Sequence, residues 1–309
     1  MKQTENTDWN KSSPYDRFSY FIASKIDRYK ALLTTIEKLE LNSLVVSIAD
    51  HKHIFIFPPG KKMPGIKGST FPFAGESPYI FVAHYDRVPG SPGANDNSIA
   101  VFHLLNVALK FIKQGVSNWI ILFTDKEEIK DGESFEKQGS FALAQKLKSW
   151  GLEKARIYNF DACGTGDTFV ISTITDLILG NNDNPNILKL KDAIRLLSNH
   201  VLETTYNLRF DKVLLAPIPF CDDIGFLRAG FAAQTITMLP SAEAAQYEEI
   251  LRKYPEFPKL MISGEIKTSP ERRHLPITWR NLNTPADTPD RLTPQFFEKI
   301  CNLVENLCR

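Results

Sequence analysis

Between Tyr79 and Ala100 the chain reads YIFVAHYDRVPGSPGANDNSIA. Tyr79 to Ala83 has the unbroken apolar run of a buried strand, and His84 and Asp86 stand where that strand should end. A Pro/Gly-rich turn then leads to Asp96 at the mouth of a helix. Neutral imidazole and carboxylate are the ligand types that hold a zinc ion in an open, catalytic site, so the first chemistry to consider is a metal centre. A single histidine beside a strand more often packs than binds metal, and the case rests on what joins it.

Two later segments supply partners. The apolar run Trp119 to Thr124 ends in Asp125-Lys126-Glu127-Glu128, and Arg156 to Phe160 ends in Asp161. A helix from Ser98 to Lys113, with Ile99, Phe102, Leu105, Leu109 and Ile112 on one side, links the first strand to the second. Another, Ser140 to Trp150, links the second to the third. Strand and helix in alternation predict a doubly wound parallel sheet, and such sheets bind ligands outside the carboxyl ends of their strands. His84, Glu127, Glu128 and Asp161 all fall at such ends.

A hydrolytic metal site must hold its ions while leaving room for water, and it needs a base to take that water's proton. Two neighbouring ions need a bridging carboxylate. Asp96 suits the bridge, with His84 and Asp161 on one ion, Glu128 on the other and Glu127 left as general base. Asp86 is then the carboxylate that orients His84, a pairing that metal-bound histidines nearly always have.

The remaining chain reads as scaffold. Residues 1–14 are polar and are expected to be disordered, and one amphipathic helix is expected over Tyr15 to Leu41. Ser43 to Ile48 and His53 to Phe57 predict a hairpin with His51 and His53 exposed, followed by a basic loop over Lys61 to Gly68. His103, inside a helix, reads as a packing residue. A helix over Asn186 to Thr204, strands near Lys212 to Leu215 and over Phe231 to Leu239, and a closing helix from Pro294 to Leu307 complete a single α/β domain, 15–309, with loop insertions near 129–138 and 240–280.

Composition narrows the function classes. With 37 basic and 36 acidic residues and a net charge of +1, the chain has no global field to attract nucleic acid or an anionic membrane. Its apolar runs, such as Trp119 to Phe123, are too short to span a bilayer, and its N-terminal stretch lacks an apolar targeting core. Four cysteines without CxxC spacing fit free thiols in a reducing compartment, so a cytoplasmic location is expected. Oligomeric state is not encoded in any of these features.

HYD at His84 to Asp86, GANDNSIAV around Asp96, KEE ending at Glu128, NFDACG around Asp161 and NTPADTPDRL from Asn283 together resemble the co-catalytic zinc peptidases of the bacterial leucyl aminopeptidase type, clan MH. The motifs run from residue 79 to 292 in the family's order. The resemblance implies a three-layer α/β sandwich around a mixed, mostly parallel sheet, the zinc-dependent exopeptidase fold. It implies one or two zinc ions on His84, Asp96, Glu128 and Asp161, Glu127 as general base, and a cis peptide after Asp96. The activity it implies is a metallo-aminopeptidase acting on peptides. Two other readings are a single-zinc glutaminyl cyclase, although the cyclases lack the ligand at His84, and a non-catalytic binding protein of the same fold.

In one place the chain departs from the pattern. The last motif of the family usually opens with a zinc-binding histidine, and here that position is Asn283. Three arrangements follow: one firmly held zinc, coordination through the Asn283 oxygen, or replacement by His274, which otherwise reads as a surface histidine. The acidic residues Asp131, Glu133 and Glu136 read as a solvated loop near the site. Cys221-Asp222-Asp223 matches a loop that lines the pocket in relatives, and substrate contact is expected of Asp222. Cys163 reads as a small buried thiol.

Overall fold

The apolar runs that end in His84, Asp125 and Asp161 lie side by side at the centre of one sheet in a computed structural model, which describes residues 13–23, 25–61, 73, 76–129, 133–219, 222–262 and 265–309. The strands are β1 (Ser43–Ile48), β2 (His51–Ile56), β3 (Tyr79–His84), β4 (Trp119–Thr124), β5 (Arg156–Phe160), β6 (Thr168–Ser172), β7 (Val213–Ala216) and β8 (Ala233–Leu239), paired in the order β1-β2-β4-β3-β5-β8-β6-β7. Pairs β3–β4, β3–β5, β5–β8 and β6–β7 are parallel, and β1–β2, β2–β4 and β6–β8 antiparallel. The sheet is thus mixed and mostly parallel, as expected.

The helices are α1 (Phe18–Phe21), α2 (Arg28–Lys38), α3 (Ile99–Gln114), α4 (Gly139–Ser149), α5 (Ile174–Leu179), α6 (Pro185–Asn207), α7 (Asp222–Arg228), α8 (Ser241–Lys253), α9 (Phe257–Ile262), α10 (Ile277–Asn281) and α11 (Phe297–Leu307). They cover both faces of the sheet, which is why β3 and β4 are apolar at nearly every position. Alternate side chains serve opposite layers. Phe81, Ala83, Ile121 and Phe123 pack with α2, α3, α6 and α11, while Ile80, Val82, Ile120 and Leu122 pack with Leu143 and Leu147 of α4 and Phe226 of α7. A third cluster joins β6 and β8 to α8, α9 and α10 through Val170, Leu239, Tyr247, Met261 and Trp279.

Several expectations are corrected. The segment 15–41 is not one helix. A helical turn over Pro14–Arg17 and the short α1 come first, and α2 starts afresh where the Asp27 side chain accepts from the Lys30 amide at 3.1 Å. The carbonyls of Ile22 and Ala23, which a continuous helix would have used, accept instead from Arg87 at 2.9 and 3.1 Å. Ser13 and Pro14 open that first turn rather than continuing a disordered tail, and residues 1–12 lie outside the described residues, as do 62–68 of the expected basic loop. His53 is fully buried, because its strand position faces inward and its Nδ1 accepts from the Asp125 amide at 3.3 Å. The sequence reading passed over β6 and α5, and Asp222–Arg228 forms a helix.

Candidate metal centre

Register assembles the site. β3 pairs with β4 so that His84 lies opposite Thr124, and with β5 so that Val82 lies opposite Asn159, which sets His84 level with Asp161. The chain leaves β3 for β4 on one side and later takes up β5 on the other, and ligands bind at this kind of switch point.

The turn after β3 brings in the second ligand segment. The Asp96–Asn97 peptide is cis, as the resemblance implied. Asn97 Nδ2 donates to the Phe160 carbonyl at 2.8 Å, and Asn95 Oδ1 accepts from the Gly164 amide at 2.8 Å, which binds the turn to the end of β5. From the other side, the Asp287 carboxylate accepts from the backbone amides of Asn95 at 2.8 Å and Asp96 at 3.0 Å. Asp287 belongs to the NTPADTPDRL motif, yet its task was not read from the sequence. The motif's acidic positions were the only signal for it.

Asp86 joins the first strand to the second. Its two oxygens accept from the amides of Glu127 at 3.2 Å and Glu128 at 3.1 Å, and Oδ1 lies 3.5 Å from His84 Nδ1. Lys126, at φ 65°, turns the backbone so that the two glutamates follow one another around the site. The Gln138 amide donates to Glu127 Oε1 at 3.3 Å. Sequence reasoning missed Gln138, which lies across a loop from the glutamates.

His84 Nε2 is 3.0 Å from Asp96 Oδ1 and 3.7 Å from Asp161 Oδ1, and ligand atoms of His84, Asp96 and Glu128 lie within 4.8 Å of one another. His84 Nε2, Glu128 Oε1 and Asp161 Oδ1 are buried and make no aligned hydrogen bond. Buried acceptors that converge without bonding one another are costly unless a cation fills the gap, and the donor set of imidazole and carboxylates suits zinc. The residues present therefore fit the ion that the motifs implied.

Titration follows from the crowding of charge. Burial pulls the His84 imidazole down, but Asp161, Asp86 and Asp96 around it outweigh this and raise it well above its ordinary value. Burial, reinforced by Glu128 beside it, raises Glu127 well above the usual carboxylate range. Glu128 is pushed up to about 9 by burial and then by Asp96. Asp86 is half-buried, which pushes it up, yet His84 and the amides it accepts from hold it low.

Other expected residues fall in different places. Asn283 is exposed at φ 62° and its Nδ2 donates to Glu128 Oε2 at 3.0 Å, so it reaches the edge of the group. His274 does not: its ring packs 5.1 Å from Tyr254 and 6.1 Å from Phe257, between α8 and α9. Asp222, of which substrate contact was expected, has no exposed surface and accepts from Thr124 Oγ1 at 2.5 Å. Cys221 and Asp131 lie outside the described residues. Glu133 pairs with Lys126 at 3.8 Å and Lys137 at 3.6 Å, so its charge is locally compensated, and Glu136 is exposed. His103 and Cys163 are buried, as expected.

No curated protein matches the chain. Among solved structures, the glutaminyl cyclase of Porphyromonas gingivalis superposes with a TM-score of 0.62 at 15% identity, covering 96% of each chain. The LapA aminopeptidase of Legionella pneumophila gives 0.60 at 12% identity, covering 96% of this chain and 69% of its own. A zinc aminopeptidase from Bacillus subtilis gives 0.50 at 19% identity over 83% of this chain, which spans about half, 48%, of that protein. At these identities the likeness is one of fold. The model of Peptidase family M28 matches residues 66–307, a segment that holds His84, Asp86, Asp96, Glu127, Glu128, Asp161 and Asp287, and the chain belongs to that family.

Proposed function

We propose that this protein is a zinc-dependent aminopeptidase that removes N-terminal residues from peptides. The observation that carries the reading is the convergence of His84, Asp96, Glu128 and Asp161 on one small space, with the buried carboxyl of Glu127 beside it. Bound there, zinc supplies a Lewis acid that polarises the scissile carbonyl and makes a coordinated water acidic. His84, Asp96, Asp161 and Glu128 would hold it, with His84 at the end of β3, Asp96 in the turn before α3, Asp161 after β5 and Glu128 after β4. Asp86 keeps the His84 ring in place through Nδ1. Glu127 takes the water's proton and returns it to the departing amine. Gln138, donating to Oε1, leaves Oε2 for that exchange.

The test is turnover of a panel of aminoacyl-coumarin substrates after zinc or cobalt addition, with wild type and Glu127→Gln compared. The variant is expected to bind metal as wild type does while losing a factor of about 10² to 10⁴ or more in rate. Full activity in Glu127→Gln defeats the mechanism, and no turnover by metal-loaded wild type favours a binding protein of the same fold. A second reading, transfer rather than hydrolysis, draws on the 96% mutual coverage with the P. gingivalis cyclase. Cyclisation of an N-terminal glutaminyl peptide without release of residues from other peptides would select it.

A further inference from the structure

Arg28 lies in α2, before the segment that the family model matches, and its guanidinium is buried, with the residue only 6% exposed. Its surroundings are backbone carbonyls of the turn that follows β3. Nη1 donates to the carbonyls of Tyr85 and Asp86, each at 3.1 Å, and Nη2 to those of Pro92 at 2.8 Å and Gly93 at 3.1 Å. Nη2 also donates to Ser98 Oγ at 2.6 Å, and that hydroxyl in turn donates to the Gly93 carbonyl. Phe21 of α1 closes the outer face, its ring centroid 4.9 Å from the guanidinium carbon.

Those acceptors bracket the turn. Tyr85 and Asp86 begin it, Pro92 and Gly93 are its middle and Ser98 ends it, so one planar group fixes the spacing between Asp86 and Asp96. Gly93 fits this arrangement and no larger residue does: at φ 61°, a Cβ there would stand 2.8 Å from Arg28 Nη2 and 2.7 Å from the Asp96 carbonyl. A flat fork of fixed donors suits this task and a lysine does not, because an ammonium is a point charge that cannot span both sets of carbonyls.

We propose that Arg28 is a positioning residue for the metal centre, a clamp supplied from outside the family-matched segment that holds the 85–98 turn so that Asp86 and Asp96 meet His84. The role rests on the metal-site reading above. It predicts that zinc affinity, and not only stability, depends on the guanidinium.

The experiment compares wild type, Arg28→Lys and Arg28→Ala in the full-length chain by zinc titration calorimetry and by backbone amide hydrogen exchange in the metal-free state. Expected are zinc affinity weakened tenfold or more in both variants, and faster exchange at residues 85–98 with β3 and β4 unchanged. Millimolar methylguanidinium is expected to restore affinity to Arg28→Ala and to leave wild type and Arg28→Lys unaffected. Wild-type zinc affinity in both variants, or a loss in Arg28→Ala that methylguanidinium does not reverse, overturns the proposal. If Arg28→Ala does not fold, Arg28→Lys carries the test, and its binding zinc as wild type does overturns the proposal. If wild type itself binds no zinc, the metal-site reading fails, and exchange at 85–98 in the Arg28 variants then decides the clamp alone: unchanged exchange overturns it.

Discussion

Asp287→Ala removes the acceptor that faces the turn carrying Asp96. The carboxylate is 3% exposed and takes the amides of Asn95 and Asp96, themselves in residues 4% and 5% exposed. Each buried amide left without a partner costs about 1 to 3 kcal/mol, so the pair gives roughly 4 kcal/mol. Part of this is offset because the carboxylate is itself unfavourably buried, its pKa pushed up to about 6 by burial and then by Asp96. A net loss of about 3 kcal/mol is expected, which for a chain of 309 residues lowers Tm by about 5 °C. Asp287→Asn keeps one acceptor oxygen but turns an N–H toward an N–H, and about half the loss is expected. Because the amide of Asp96 is one of those released, zinc affinity should fall on the order of 10- to 100-fold as well. Scanning calorimetry and zinc titration at pH 7 measure both quantities. A variant with wild-type Tm and wild-type zinc affinity refutes the view that Asp287 orders this turn.

Two further substitutions probe other parts of the molecule. Burial lowers the His103 imidazole to about 3, below its unfolded value near 6.5, so the unfolded chain binds the extra proton and the stability associated with neutral His103 is lost as pH falls below 6.5. At pH 5 that amounts to about 2 kcal/mol. His103→Asn, less stable at pH 7, should therefore lose about 2 kcal/mol less than wild type between pH 7 and 5 in urea unfolding. Parallel curves for the two proteins contradict the burial account. At Asn283, φ 62° lies in a region that histidine also tolerates better than most residues. Asn283→His replaces an amide with a stronger zinc ligand, and calorimetry is expected to show a second equivalent of zinc or an affinity gain on the order of tenfold. An unchanged titration places residue 283 outside the shell.

The parts of the site visible in sequence are those that one strand writes for itself. β4 and β5 have the expected bounds and β3 extends one residue further, to His84, because a strand buried on both faces must be apolar throughout and must change character where it reaches the surface. The acidic residues and His84 stand out at those changes. Helix α3 was legible from its 3.6-residue period for the same local reason.

What sequence did not show is which distant groups meet. Nothing in the sequence marks Arg28, within the expected amphipathic helix, yet its fork closes on carbonyls 57 to 65 positions away and on the Ser98 hydroxyl 70 positions away. Asp287 finds Asn95 from 192 positions away, and His53, expected to be exposed, is buried with its Nδ1 accepting from the Asp125 amide 72 positions away. Asp222 seemed to line a pocket, and packing of α7 against α4 sealed it behind Thr124. Residue type and period determined β3, β4 and β5 and singled out the candidate ligands and base at their ends, since burial and coordination chemistry act on each residue where it stands. Register, the path of the 85–98 turn and the partners of Arg28, Asp287 and Asn283 were decided by the tertiary structure alone, because a hydrogen bond depends on where two groups meet in space and not on what either one is.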